Sequence, residues 1–436
     1  MISVTAPVER ALIVGAPLKR PGARRALDEH LRELERLADT AGAVVVGELT
    51  QQLDRPHPGT YLGKGKIEEL KALVQEKDAS LIIFDDELSP SQGKNIESAV
   101  GTRVVDRAEL ILDIFATRAR SSEAKMQVEL AQLKYTLPRL TRMWTHLEKF
   151  RGGIGVRGPG ETQLESDRRL INHRIKLLTE RLAHVQQNRA VQRQSRAGAY
   201  KASLVGYTNA GKSSILRGLS GALEVHVEDR LFATLDPLTR EVDLGENAHA
   251  LLTDTVGFIR KLPHHLVASF RATLEETRDA DVLLHVVDAS HPLWEEQRLV
   301  VDQVLLDLDL QEQPVLLVFN KIDLLPEDAL LALQERVTAM VPSAVFVSST
   351  HEGGLDPLRR ALRHGMRARR PVAEVWLRSG DGRLLAEIHA HGEVLETRQE
   401  GEQTVVRARL PDRLRGRLEQ AGAEVRSDVM PIALTR

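Results

Sequence analysis

No cysteine occurs in the 436 residues. That absence excludes disulfides, thiolate metal sites and a cysteine nucleophile, and it fits a reducing cytosol. The opening stretch MISVTAPVERALIVG lacks the basic start, apolar run and small-residue cleavage site of a secretory leader. No apolar run approaches the ~20 residues needed to cross a bilayer. Internal repeats and low-complexity tracts are also missing. A cytoplasmic protein without a membrane span is expected, with partial association to a membrane surface left open.

What is present is the composition of folded, soluble domains: 42% hydrophobic and 28% charged residues. A chain of this length predicts two to four domains. The net charge of -2 conceals an asymmetry. Residues 107–197 hold 18 Lys+Arg against 9 Asp+Glu, a local balance of +9 that leaves the remainder at -11. Such a division suggests a polyanion-binding element joined to ordinary domains; the rival explanation is a solvated helix surface.

Residues 1–106 alternate strand-like RALIVGAP, AVVVGELT, SLIIFDDE and TRVVD with amphipathic helices over ARRALDEHLRELERLADTAG and GKIEELKALVQEKDA. That alternation predicts an N-terminal α/β subdomain with a parallel sheet. YLGKGKIEEL lacks phosphate-loop spacing and reads as a turn and helix start.

Residues 107–197 have a different period. Met126, Leu130, Leu133, Leu137, Leu140, Trp144 and Leu147 recur every 3.5 positions, and Leu164, Ile171, Ile175, Leu178, Leu182 and Val185 repeat the pattern. Each seam must face another helix, which predicts an antiparallel helical hairpin with the glycine-rich basic loop 151–160 at its tip. Each seam spans 22 residues, about 33 Å of helix. Pro138 predicts a kink in the first. Lys134, Arg139, Arg142, Lys149, Arg151 and Arg157 are expected near the tip as phosphate contacts, with Lys149, Arg151 and Arg157 as the RNA-binding residues. Trp144 belongs to the seam. Phe150 could be core or could stack on a base.

Residues 198–370 carry the chemistry. GYTNAGKSS runs from Gly206 through Tyr207, Thr208, Asn209, Ala210, Gly211, Lys212 and Ser213 to Ser214, directly after an apolar strand. The spacing is that of a phosphate-binding loop, with Lys212 for the β and γ phosphates and Ser213 for Mg²⁺. DTVG supplies Asp254 for Mg²⁺ and Gly257 for the γ-phosphate, and LFATLDP supplies Thr234 as the switch I threonine on both. NKID supplies Asn320 to buttress the base loop, Lys321 to lie over the purine, and Asp323 as a buried carboxylate for guanine N1 and N2. Ser348 and Ser349 occupy the second base loop, where the Ser349 amide would serve O6. A P-loop GTPase domain that binds GTP and GDP follows. Phe258 stands where many GTPases place a water-orienting glutamine, so hydrolysis is expected to be slow unless a partner orders the switches; the rival is a dead GTPase. Asn209 resembles the asparagine that seats K⁺ in potassium-activated GTPases, so K⁺ beside Mg²⁺ is a second cation to consider. Residues 371–436 trace β-α-β-β-α-β, a C-terminal ferredoxin-like α+β domain with no evident catalytic cluster. The fold class is thus α/β multidomain.

With these motifs placed, EAKMQVELAQLKYTLPRL, RGGIGVRGPGETQLESDRR, GYTNAGKSS, LFATLDP and DTVGFIRKLPHHLVASF closely resemble the HflX family of the Obg–HflX group over about residues 10–370. A hydrophobic residue at Phe258 belongs to the family's pattern; Ser349, where alanine is common, departs from it. The resemblance implies binding to the 50S subunit and 70S ribosome, with the hairpin directed at rRNA near the peptidyl-transferase region. It also implies ribosome-stimulated hydrolysis and splitting or rescue of stalled ribosomes. The alternatives are a GTPase of ribosome assembly or tRNA modification, or an RNA-binding protein that uses GTP only for stability.

Overall fold

The computed structural model describes residues 8–19, 23–140, 159–194, 199–221, 230–246, 248–262, 277–369, 372–378 and 380–427. The first layer is a parallel sheet of β1 (Arg10–Gly15), β2 (Val44–Thr50), β3 (Leu81–Phe84) and β4 (Arg103–Asp106), ordered β2-β1-β3-β4. Strand side chains alternate between faces, so a parallel sheet of apolar strands needs cover on both. Helices α1 (Ala23–Ala41) and α4 (Arg107–Arg118) enclose Ile13, Ile83 and Val105 on one face. Helices α2 (Lys64–Lys77) and α3 (Pro90–Val100) enclose Leu12, Ile82 and Val104 on the other.

Two of these helices were not expected where they lie. The sequence of α3 has a thin apolar stripe, but a capping box between Ser89 and Gln92 starts it, and Gly101 at φ 80° stops it. Helix α4 lies within the segment read as hairpin, yet it packs on α1 beneath the first sheet. Its nearly continuous apolar face, Leu110 to Phe115, suits burial between layers rather than a two-helix seam.

The hairpin comprises α5 (Ser122–Thr136), a 3₁₀ turn over Leu137–Arg139, and α6 (Pro159–Gln194). Leu130, Leu178 and Leu182 form its buried seam, flanked by Met126, Leu133 and Ile175. Arg174 clamps the seam by donating from Nε and Nη2 to the two oxygens of Glu129, at 2.6 and 2.8 Å. The interruption at Pro138 is this 3₁₀ turn. It turns Arg139 back onto the first layer, correcting its expected place among the tip cations. The Arg139 guanidinium lies 3.6 Å from the Tyr135 ring centroid, and its Nη2 donates to the Leu88 carbonyl (2.7 Å) and to Asp106 (3.3 Å). Residues 141–158 lie outside the described residues, and with them Arg142, Trp144, Leu147, Lys149, Phe150, Arg151 and Arg157.

The second layer is a six-stranded sheet of β5 (Tyr200–Gly206), β6 (Leu238–Gly245), β7 (Ala248–Asp254), β8 (Val282–Asp288), β9 (Val315–Asn320) and β10 (Val345–Phe346). Its order is β10-β9-β8-β5-β7-β6, parallel except for β6. Edge strand β6 was not anticipated, because LTREVDLG is half polar and exposes one face. Helices α7 (Lys212–Ser220), α8 (Trp294–Asp307), α9 (Glu327–Met340) and α10 (Asp356–Arg369) complete the layer.

The final unit runs β11 (Val372–Arg378), α11 (Gly382–His391), β12 (Glu393–Glu400), β13 (Gln403–Arg409), α12 (Asp412–Gln420) and β14 (Glu424–Ser427). Its antiparallel sheet is ordered β12-β13-β11-β14, the ferredoxin-like arrangement. One apolar core joins the first two layers: Ile111 and Phe115 of α4 meet Tyr207, Phe232, Phe258 and Ile259.

Candidate nucleotide-binding site

The loop between β5 and α7 folds around backbone groups because its residues accept turned conformations. Asn209 and Gly211 take positive φ, 60° and 95°. A Cβ on Gly211 would lie 2.1 Å from Asn320 Nδ2, so only glycine fits there. Asn320, fully buried, donates from Nδ2 to the Ala210 carbonyl (3.0 Å). Its Oδ1 accepts from the Ser349 amide (3.2 Å). The sequence predicts that this amide serves O6 of the base; in the structure it ties the second base loop to the first.

Lys212 is buried at the start of α7, donating to the carbonyls of Gly206 (3.2 Å) and Tyr207 (2.8 Å). Burial pulls its ammonium down to about 8, opposed by Asp254 and reinforced by Lys321. Ser213, Thr234 and Asp254 converge on one point. Asp254 Oδ2 accepts from Ser213 Oγ (2.6 Å) and Thr234 Oγ1 (2.8 Å), and the two hydroxyls stand 2.9 Å apart. Asp254 Oδ1 is buried with no hydrogen-bond partner among the described residues. Burial raises the Asp254 carboxyl above its ordinary value, more than Lys212, Ser213 and Thr234 lower it. An all-oxygen set with an orphaned carboxylate oxygen suits a hard divalent cation.

A cavity of about 290 Å³ opens over these groups, lined among others by Thr208, Ser214, Thr234, Gly257 and Lys321. Gly257 is tight against its floor, where an added Cβ would meet Thr208 Cα at 2.7 Å and Lys212 Nζ at 3.0 Å. At the far end Lys321 extends its ammonium to Asp288 (2.6 Å), a partner that sequence reasoning missed. Asp323 is exposed, not buried as expected from sequence. Burial is the largest single influence and raises its carboxyl, but bonds from Ser348, its own backbone and Thr350 together outweigh it and hold the group below the usual carboxylate range. It is an ionised acceptor at neutral pH.

The segment after Gly257 is held on two sides. Phe258 donates its amide to the Gly206 carbonyl (3.0 Å) and accepts from the Thr208 amide (2.7 Å), while its ring, 1% exposed, fills the core under α4. Arg260 and Lys261 then cross to the first layer. Arg260 donates to Asp85 (2.5 Å) and lies 3.2 Å from Glu33; Lys261 reaches Asp85 (2.9 Å) and Asp86. Buried Arg107 bonds the same Asp85 (2.9 Å), Glu33 and the Arg260 carbonyl (3.2 Å). The Tyr207 hydroxyl donates to Glu33 (2.5 Å) and accepts from the Arg260 amide (2.9 Å). Tyr207, Arg260 and Lys261 lie within quoted motifs, but nothing in the sequence pairs them with Glu33, Asp85, Asp86 and Arg107, because the partners lie up to 176 positions apart.

Three family models match in succession: "GTP-binding GTPase N-terminal" at residues 28–116, "GTP-binding GTPase Middle Region" at 118–196 and "50S ribosome-binding GTPase" at 201–321. The chain is 45% identical over 424 residues to the GTPase HflX of Magnetococcus marinus, covering 96% of this chain and 97% of that one. It belongs to the HflX family of GTPases. Its similarity to the HflX of Flavobacterium psychrophilum is 51% over 315 residues, covering 72% of this chain and 76% of the relative. To that of Caldanaerobacter subterraneus subsp. tengcongensis it is 50% over 341 residues, covering 77% and 76%. HflX membership and the P-loop domain make this chain a GTP hydrolase. Among the described residues no helix is long and apolar enough to cross a membrane.

Proposed function

We propose that this HflX chain binds the large ribosomal subunit and couples GTP binding and hydrolysis to splitting or rescue of stalled ribosomes. The observation that carries the reading is Phe258. Its ring is locked in the interlayer core and offers no hydrogen bond to an attacking water. A partner must therefore supply what the chain lacks, and the matching family described as "50S ribosome-binding GTPase" points to a candidate. Lys149, Arg151 and Arg157, cations close together in a glycine-rich stretch of the sequence, are suited to rRNA phosphates.

In this reading Ser213, Thr234 and Asp254 hold Mg²⁺, whose chemistry when bound is to neutralise charge developing on the phosphates. Lys212 contributes the fixed cation at the β and γ phosphates. The Gly257 amide senses the γ-phosphate, and Asp323 selects guanine. Asn209 is the proposed K⁺ ligand; equal turnover in potassium and sodium chloride would remove that ion from the scheme.

Sedimentation of 70S ribosomes tests the function. Free subunits are expected with GTP or a non-hydrolysable analogue, and intact 70S particles with GDP. The Arg151→Ala/Arg157→Ala double variant is expected to lose most of that splitting. Equal splitting in all nucleotide states would defeat the proposal.

A further inference from the structure

The switch I loop is anchored to the root of the hairpin on both sides of Thr234. Two residues before it, Phe232 sits at φ 56° and donates its amide to Thr208 Oγ1 (3.2 Å). Its ring packs edge-on against Phe115 of α4, with centroids 4.6 Å apart and planes at 77°. Two residues after Thr234, the Asp236 carboxylate accepts from the amides of Arg120 (3.3 Å) and Ser121 (3.1 Å), and from the Ser121 hydroxyl. Ser121 is the N-cap of α5, its Oγ also accepting from the Ala124 amide (3.0 Å). The carboxylate therefore rests on the positive end of the hairpin's first helix. Pro237 disfavours helical backbone at Asp236, which stands two residues along the chain from Thr234.

We propose that Asp236 is a positioning residue for GTP binding and hydrolysis: docked on the start of α5, it holds Thr234 at the cation and γ-phosphate position. The inference rests on the reading of Thr234 given above and deepens it. It identifies the α4–α5 elbow as the place where hairpin and nucleotide site exert force on each other. Linkage makes that coupling reciprocal: whatever draws α5 away from Asp236 weakens the triphosphate state, and the triphosphate favours the docked elbow. The contact does not involve the base or the α and β phosphates, so it discriminates between nucleotide states rather than between nucleotides.

The test uses the full chain without ribosomes and measures equilibrium binding of GDP and of a non-hydrolysable GTP analogue, both with saturating Mg²⁺, alongside single-turnover hydrolysis. Asp236→Ala is expected to weaken the analogue about tenfold, change GDP affinity less than about twofold, and slow hydrolysis about tenfold at saturating GTP. Asp236→Asn keeps an acceptor for the two amides and is expected to recover most of both losses. Equal weakening of GDP and analogue would show a merely structural tie, and unchanged binding of both would show no coupling; each result overturns the proposal, as does an Asn variant as impaired as Ala. Thr234→Ala separates the two readings. If it too leaves analogue binding intact, the assignment of Thr234 fails; if it weakens the analogue while Asp236→Ala does not, only the positioning role fails.

Discussion

Replacing Asp323 with asparagine is expected to lower kcat/KM for GTP by about 10³-fold and to move the preference towards xanthosine triphosphate. The Asp323 carboxylate is held ionised by Ser348, its own amide and Thr350, which together outweigh the upward push of burial, so it can only accept. Guanine offers it two donors, N1–H and the N2 amino group. Asparagine keeps one acceptor and turns a donor towards N2–H, which costs one hydrogen bond and adds a clash of donors. Xanthine carries a carbonyl at that position and matches the change. The exposure of Asp323 in the nucleotide-free chain does not weaken the expectation, because the stacked base itself would exclude water from the pair. Steady-state hydrolysis of both triphosphates by the variant is the measurement. Retained guanine preference would mean that the base is read elsewhere.

The second large effect concerns stability. Asp85 is shared by Arg107, Arg260 and Lys261 at the joint between the layers. Burial pushes its carboxyl up, but the three cations overwhelm that and leave it well below the usual carboxylate range. Asp85→Ala would leave Arg107 and Arg260 buried with Glu33 as their remaining carboxylate partner. Breaking a buried ion pair from one side typically costs about 3–5 kcal/mol. For a unit of this size the first thermal transition is then expected to fall by roughly 10 °C. The acid dependence has a definite sign. A carboxylate with a depressed folded pKa contributes its full stability above the unfolded value of about 3.9, and loses it as pH falls through the folded value. Wild type should therefore lose the difference from Asp85→Ala only below about pH 4. Matching melting curves at pH 7 would show that the clasp does not hold the layers together.

The legibility of this protein from sequence follows a physical division. Motifs built from adjacent residues were readable: GYTNAGKS after an apolar strand, DTVG and NKID at strand ends, and the β-α-β-β-α-β order near the carboxy terminus. Their chemistry needs particular side chains at short spacing, and the fold brings Ser213, Thr234 and Asp254 within hydrogen-bond reach. The 3.5-residue repeat likewise predicted the seam that Leu130, Leu178 and Leu182 form. Short strand β6 and helix α3 escaped because half-polar segments carry weak periodicity and depend on neighbours for burial.

Sequence alone thus determined the hydrolase domain, the seam of the hairpin and which residues are proposed to meet phosphate, because local spacing encodes them. Only the tertiary structure decided what those groups lean on. Arg139 became a buried anchor instead of a tip cation, Phe258 a core residue, Arg260 a clasp, and Asp236 a cap on the hairpin's first helix. Each of those outcomes joins residues far apart in the chain, and such pairings are chosen by packing and by the need to satisfy buried charge, neither of which leaves a mark on any single stretch of sequence.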